Sequence, residues 1–250
     1  MLEHTFQTPL PLSLEVSIPS GDIEVETDGA EETSVTVDGD ERVLEHVEVH
    51  YSGNRVSVTL REKGKFGFSF GSLFNGGLRV QARVPHGASV RVKTASADTE
   101  LEGHFGALEL NSASGDVRLR GELAENATIK TVSGDVELER VDGDLSVQCV
   151  SGDVRARAIA GSVDTKTVSG DIRLDALTAG SVRFTSVSGD IEIGVAHGSL
   201  VDIDAGSTSG DLSSEVPLAS EPPAGEGEAA PTVILRGRTV SGDVRVFRAN

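Results

Sequence analysis

The sequence predicts an all-β protein built as a β-solenoid, a fold in which short coils of chain stack on one another. Two observations point to this fold: a composition suited to strands and tight turns, and a short internal repeat. The 250 residues include 29 Gly, no Trp, one Tyr and one Met. Hydrophobic residues make up 37% of the chain, which is enough to bury a core.

The repeat is a triplet of Ser, Gly or Ala, and Asp. Copies begin at Ser20, Ser96, Ser114, Ser133, Ser151, Ser169, Ser188, Ser209 and Ser241. From Ser96 to Ser188 the spacing is 18 or 19 residues. Propeller blades repeat at about 40 residues, and sandwich strands do not repeat one sequence at a near-constant spacing. The short period therefore favours coils that stack as parallel ladders.

Each period holds at least two strands. A weaker turn signal, such as Gly143-Asp144, follows each triplet by about nine residues. Between these turns the apolar residues alternate with polar ones, so Val136 and Leu138 share one face, and Leu145, Val147 and Cys149 share another. The period leaves open whether the cross-section of a coil has two faces or three.

The repeat is regular only in part of the chain. We expect residues 1–90 to form an irregular β-strand N-terminal cap or wider coils, and 91–250 to form the regular solenoid. "YSGNR" at 51–55 is a candidate hairpin turn. An acidic, Pro-rich insertion at 214–231 is expected to be a disordered loop. The final "VSGDVRVFRAN" is expected to be the last coil.

The triplet itself admits a structural and a functional interpretation. As a turn, its Gly takes a positive φ and its Asp accepts from nearby N–H groups as an Asx-turn. The predicted turn glycines are Gly115, Gly134, Gly152, Gly170 and Gly189. The alternative is a calcium-binding solenoid in which an Asp column holds the ion. Its ligands would be Asp116, Asp135, Asp153, Asp171 and Asp190.

Several phrases resemble a known family. "TVSGDV", "G-D-L-x-V", the early "IPSGDIEVET" and "ARVPHGASVRVKTASADTEL" are similar to the bacterial β-strand-repeat family of unknown function labelled "putative adhesin". The resemblance runs from about residue 12 and omits the 214–231 insertion. It implies a right-handed parallel β-helix, with some members tied to the cell envelope or its stress responses. It supplies no catalytic motif.

The residues give no pattern typical of an enzyme. No G-x-S-x-G accompanies the triplets, and the six His are scattered. His46, Glu48 and His50 are the nearest approach to a zinc site, but their alternation with Val favours a strand whose polar residues face solvent. We therefore expect a non-enzymatic scaffold or adhesin-like binding protein without a cofactor. A carbohydrate-active β-helix enzyme is a distant third, after the calcium solenoid.

The charge of the chain limits the classes of partner that it can bind. A net charge of −18 disfavours nucleic acid. The segment 61–79 breaks the pattern, because four Phe lie among basic residues there. We expect it either to cover the end of the solenoid or to dock a protein partner, a second copy or a membrane surface. The docking residues would be Phe66, Phe68, Phe70, Phe74, Lys63 and Lys65. Lacking a signal peptide and a long apolar run, the chain is expected to be cytoplasmic.

Overall fold

The computed structural model describes residues 1–61, 77–216 and 232–249. The chain consists of two compact units, Met1–Ala124 and Glu125–Asn250. Both units consist almost entirely of β-strands, and one short helix, α1 (Glu41–Leu44), lies in the first unit. The fold is thus all-β and solenoid-like, as the repeat predicts. The predicted division at residue 90 into a cap and a solenoid stays a prediction.

The first unit contains nine strands among its described residues. They are β1 (Leu2–Gln7), β2 (Ser13–Asp28), β3 (Glu32–Asp38), β4 (Val47–Ser52), β5 (Arg55–Leu60), β6 (Leu78–Pro85), β7 (Ser89–Phe105), β8 (Leu108–Asn111) and β9 (Val117–Leu123). β4 and β5 form an antiparallel hairpin in which Ser52 pairs with Arg55, which confirms the turn predicted at 51–55.

The strands of the first unit form two ladders, in which the order in space differs from the order in sequence. β2 pairs in parallel with β7 along most of its length. Its first half also pairs with β5, and its second half with β6. One ladder therefore runs β4–β5–β2–β7–β8, and the other runs β1–β3–β6–β2–β7–β9. β1, β3 and β4 join antiparallel to their neighbours, so they are the irregular part of this unit.

The second unit contains twelve strands among its described residues. They are β10 (Ala127–Ser133), β11 (Val136–Val141), β12 (Leu145–Ser151), β13 (Val154–Ile159), β14 (Val163–Lys166), β15 (Ile172–Leu177), β16 (Gly180–Thr185), β17 (Ile191–Val195), β18 (Leu200–Ser209), β19 (Leu212–Ser214), β20 (Thr232–Ser241) and β21 (Val244–Arg248). Each coil contributes two strands, separated by a Ser-Gly-Asp corner that we call the triplet corner.

All the strand pairings described within the second unit are parallel, and the coils again do not stack in sequence order. One ladder runs β10–β12–β14–β16–β20–β18. The other runs β11–β13–β15–β17–β21–β19. The C-terminal coil, β20 and β21, therefore lies between two earlier coils. The prediction that "VSGDVRVFRAN" forms the last coil is wrong, because β18 and β19 lie outside it.

Two Phe–Gly pairs are consistent with this order. Phe184 of β16 is buried next to Gly237 of β20, where an added Cβ would lie 2.5 Å from the phenyl ring. On the other ladder, Phe247 of β21 pairs with Gly194 of β17, where a Cβ would lie 3.0 Å from that ring. Each large ring therefore has a glycine opposite it, and both pairs join the coil of β16 and β17 to the C-terminal coil.

The core of each unit is built by alternation. Val136, Leu138, Leu145, Val147 and Cys149 are all buried, as their spacing predicts. In the first unit, the same alternation buries Leu14, Val16 and Ile18 of β2.

The structure describes only the first residues of the predicted insertion at 214–231, which stays a prediction. Ser214 is still the last residue of β19, and the side chain of Val216 is buried. Residues 217–231 lie outside the described part of the chain.

Candidate functional site

In the second unit, the Asp residues of the triplets form a column in which five of the six carboxylates accept a backbone hydrogen bond from the next coil of the stack. Asp153 N donates to Asp135 Oδ1 at 2.9 Å, and Asp171 N donates to Asp153 Oδ1 at 2.8 Å. The pattern continues to Asp190 at 2.8 Å and Asp243 at 2.9 Å. The carboxylate therefore links coils instead of closing an Asx-turn within its own coil, which corrects the sequence-based expectation.

The five predicted turn glycines have the positive φ that the turn interpretation requires. Their φ values lie between 115° for Gly115 and 134° for Gly152 and Gly170. Gly134 and Gly189 have φ values of 124° and 121°. A Cβ on Gly170 would also lie 2.1 Å from the carbonyl oxygen of Gly152, so the coils could not stack as closely with any other residue there.

A column of small side chains lines the inner side of the triplet corner. The hydroxyls of Thr131, Ser186 and Thr239 donate to backbone carbonyls two residues further on, at 3.0 to 3.2 Å. Cys149 occupies the same position and donates from Sγ to the Gly152 carbonyl at 3.8 Å. Burial raises the pKa of the Cys149 thiol, which keeps it in the unreactive protonated form.

The Asp column does not gather ligands as a metal site does. Within the described ranges, no group of three or more His, Cys, Asp or Glu side chains lies close enough to hold a metal ion. In the five carboxylates that link coils, one oxygen already accepts an N–H. His46, Glu48 and His50 also fail to converge, because Glu48 and His50 lie on the exposed face of β4 while His46 Nδ1 lies 3.0 Å from the Arg42 carbonyl oxygen.

A shallow groove runs beside the Asp column in the second unit. It has a volume of about 410 Å³ and is lined by acidic and basic side chains. Arg155 and Arg173 both donate to Asp175, and Arg173 also binds Glu192. The bond with Asp175 raises the pKa of the Arg173 guanidinium. The two arginines therefore pair with carboxylates, partly across neighbouring coils, so their contacts serve the stacking of the chain.

Exposed valines form a second column at the triplet corner. The residue before each Ser is Val132, Val150, Val168, Val187 or Val240, and each is between 45% and 52% exposed. Only eight large hydrophobic side chains are exposed in the part of the chain that the structure describes, and these five are the majority. We call this column the valine ridge. The sixth coil of the second unit has Thr208 in this position.

The valine ridge lies between columns of opposite charge. Lys130, Lys166 and Arg238 are exposed two residues before their valines, and the Asp column follows three residues after. Sequence reasoning did not single out this ridge, although "TVSGD" shows its valines. In the first unit the same position holds Pro19, Ala95 and Ala113, so the ridge belongs to the second unit alone.

All the predicted docking residues lie outside the part of the chain that the structure describes. Phe66, Phe68, Phe70, Phe74, Lys63 and Lys65 lie at positions 62–76, outside the described residues. Among the residues that the structure does describe, none of the helical segments has the length and apolar character needed to cross a membrane.

The sequence matches the family model described as Toastrack DUF4097 over residues 12–247, so this chain belongs to that family. A crystal structure of a "putative adhesin" from Parabacteroides distasonis is similar in fold, with a TM-score of 0.54 and 12% identity over 98% of this chain and 97% of that one. A "putative lipid binding protein" from the same species has a TM-score of 0.51 and 12% identity, over 98% and 96%. No significant match occurs among curated proteins.

Proposed function

We propose that this protein is a non-enzymatic binding scaffold that presents the valine ridge to a protein partner. The observation that carries the proposal is the ridge itself: five half-exposed valines at one position of successive coils. Monomeric soluble proteins rarely expose contiguous apolar patches larger than a few hundred Å², and larger patches commonly mark interaction sites. The rigid stack fixes the spacing of these side chains at about 4.8 Å, the separation of neighbouring strands.

The arrangement of charged groups supports a binding role over catalysis. An active site needs a single convergence of a nucleophile or metal with acid and base groups. Here the acidic side chains of the triplets recur once per coil and serve the stacking of the chain. The names of the two similar crystal structures, an adhesin and a lipid binding protein, are also names of binding proteins.

Capture of partners from the native cell tests this function. Immobilised wild-type protein should retain specific proteins, and a variant with Val150→Thr, Val168→Thr and Val187→Thr should lose them while its circular dichroism is unchanged. Thr keeps the β-branched shape, and Thr208 already occupies this column. Equal capture by both chains would contradict the proposal.

Two arms of the same experiment address the other predictions. Anionic lipid vesicles should not bind, because a net charge of −18 repels them, and vesicle binding that depends on the three valines would favour a lipid ligand. Deletion of residues 64–77 tests the Phe-rich segment, which stays a prediction. If that deletion, and not the Thr variant, abolishes capture, the docking site lies at the segment.

Calcium remains a proposal that no specific observation favours. Thermal unfolding in calcium and in chelator should give the same midpoint if the Asp column is purely structural. We likewise propose a cytoplasmic location, and recovery of the protein in the envelope fraction of the native cell would contradict it.

A further inference from the structure

The valine ridge has features that identify what would cover it. Its five members lie in neighbouring coils, because Ser169, Ser188 and Ser241 each donate a backbone N–H to the carbonyl of the preceding valine in the stack, at 2.8 to 2.9 Å. Four intervals of about 4.8 Å give a straight apolar strip on the order of 19 Å long. A partner must therefore present apolar side chains along a similar length.

The two flanks of the ridge differ in charge. On one flank, Lys130, Lys166 and Arg238 are exposed. Neither Lys130 nor Arg238 forms an ion pair with any residue in the described ranges, and Lys166 has only a 3.9 Å contact with Asp164. On the other flank lies the Asp column, also exposed, which includes Asp135, Asp171 and Asp243 at the same levels of the stack. The ridge thus separates a basic flank from an acidic one.

We propose that the occupant is a second copy of this chain, packed ridge against ridge with its stack running in the same direction. The inference rests on the proposed binding function and names the partner. Rotating a copy by 180° about an axis parallel to the stack brings its basic flank opposite the acidic flank of the first copy. Rotation about the perpendicular axis in the interface would instead oppose like charges, which is unfavourable.

The parallel arrangement pairs opposite charges at three levels on each side. Lys130 faces the second copy's Asp135, Lys166 faces its Asp171, and Arg238 faces its Asp243. Each valine meets the same valine across the two-fold axis, as an isologous interface requires. The area that the strip can bury is smaller than the roughly 800 Å² per partner of a stable complex. We therefore expect a weak dimer with a Kd of about 10 to 100 µM.

Sedimentation equilibrium of the full chain tests the dimer. In about 0.15 M salt, where charges are screened beyond about 8 Å, the wild type should dimerise over the micromolar range. Changing Val150, Val168 and Val187 to Thr should weaken dimerisation at least tenfold, and so should the pair Lys130→Glu and Lys166→Glu. A wild type that stays monomeric at about 1 mM, or a dimer equally strong in both variants, would overturn the proposal.

Crosslinking tests the orientation. In a Cys149→Ser background, Val132→Cys places a thiol at one end of the ridge. A parallel dimer should form a disulfide between two Cys at position 132, and an antiparallel dimer should do so only when this variant is mixed with Val240→Cys. Crosslinking only in the mixture would contradict the charge argument.

The two proposals can fail separately. A monomeric wild type that still captures another protein through the valines would leave the binding function standing and remove the second copy as its partner. A dimer that captures nothing else would retain the inference and restrict the binding function to self-association.

Discussion

Both units stack their coils out of sequence order, but they differ in the strands at the edge of the stack. In the first unit β2 lies between the β5 and β6 coil and β7, and in the second unit β20 and β21 lie between two earlier coils. The first unit has antiparallel strands at the far end of this arrangement, whereas the outermost coil of the second unit, β18 and β19, is parallel. The triplet therefore determines the geometry of a coil but not its position in the stack.

Removal of residues 232–250 should have the largest effect on this comparison. β18 would lose its partner, and Ala205 would have to take the place of Gly237 beside Phe184. Hydrogen exchange at residues 200–209 should accelerate at least 100-fold, which corresponds to about 2.7 kcal/mol of lost protection. Unchanged protection would mean that β18 can stack directly on β16. Protection of β10 and β12 should be retained, which serves as the internal control.

The change Gly237→Val should be next in size. Its side chain would overlap the ring of Phe184, and overpacking of this kind costs about 1–3 kcal/mol. Urea unfolding should show this loss, and Phe184→Ala should recover part of it in the double variant. Gly206→Ala is the matched control, because nothing lies within 4 Å of its added Cβ, and it should change the free energy of unfolding by less than about 0.5 kcal/mol.

Asp171→Ala should have a smaller effect, in the regular part of the second unit. It leaves the backbone N–H of Asp190 without its carboxylate acceptor, at a cost of about 1 kcal/mol. Asp171→Asn retains an Oδ1 acceptor, as Asn126 does for Asp144 N at 2.9 Å, and should be close to neutral. Chemical unfolding distinguishes the two. If Asn is as damaging as Ala, the charge of Asp171, and not its hydrogen bond, matters.

The smallest effect should come from acid in the first unit. Arg91 of β7 donates to Glu15 of β2 and to Glu109 of β8, at 2.6 and 2.7 Å. The bond with Arg91 lowers the pKa of Glu109, so its stabilising effect is present above the ordinary value near 4.5 and is lost as pH falls through the lowered value. Both groups are solvent-exposed, so the change should be slight. Unfolding of Glu109→Gln from pH 6 to pH 3 should show a shallower acid dependence than the wild type.

Sequence reasoning identifies the coil because the signals that define it are local. A glycine that needs positive φ, as at Gly152, and the alternation of Val136 and Leu138 each involve only a few neighbouring residues. The order of the coils depends instead on pairs such as Phe184 and Gly237, which are far apart in sequence. No periodic pattern reports such a pair, so the C-terminal coil is placed wrongly by sequence alone.

The candidate site was only partly predictable for a similar reason. The Asp of the triplet reads as a turn residue, but its acceptor role becomes visible only when coils are stacked and Asp153 N meets Asp135 Oδ1. The valine ridge can be recognised only from the exposure of its side chains, because alternation does not predict which residues at a corner point outward. The sequence therefore identifies these residue types, but it does not show which way their side chains point or which coil they contact.

The interleaved C-terminal coil also limits how such a protein can change in length. A coil that followed β21 directly would begin inside the stack, with β17 and β19 on either side, and could reach the outermost strands only by crossing the coil of β18 and β19. A duplication of residues 133–150 would instead repeat both ladders, the inner hydroxyl column and the Asp hydrogen bond in register. Added coils are therefore expected in the regular interior of the second unit, where each new coil finds two matching neighbours.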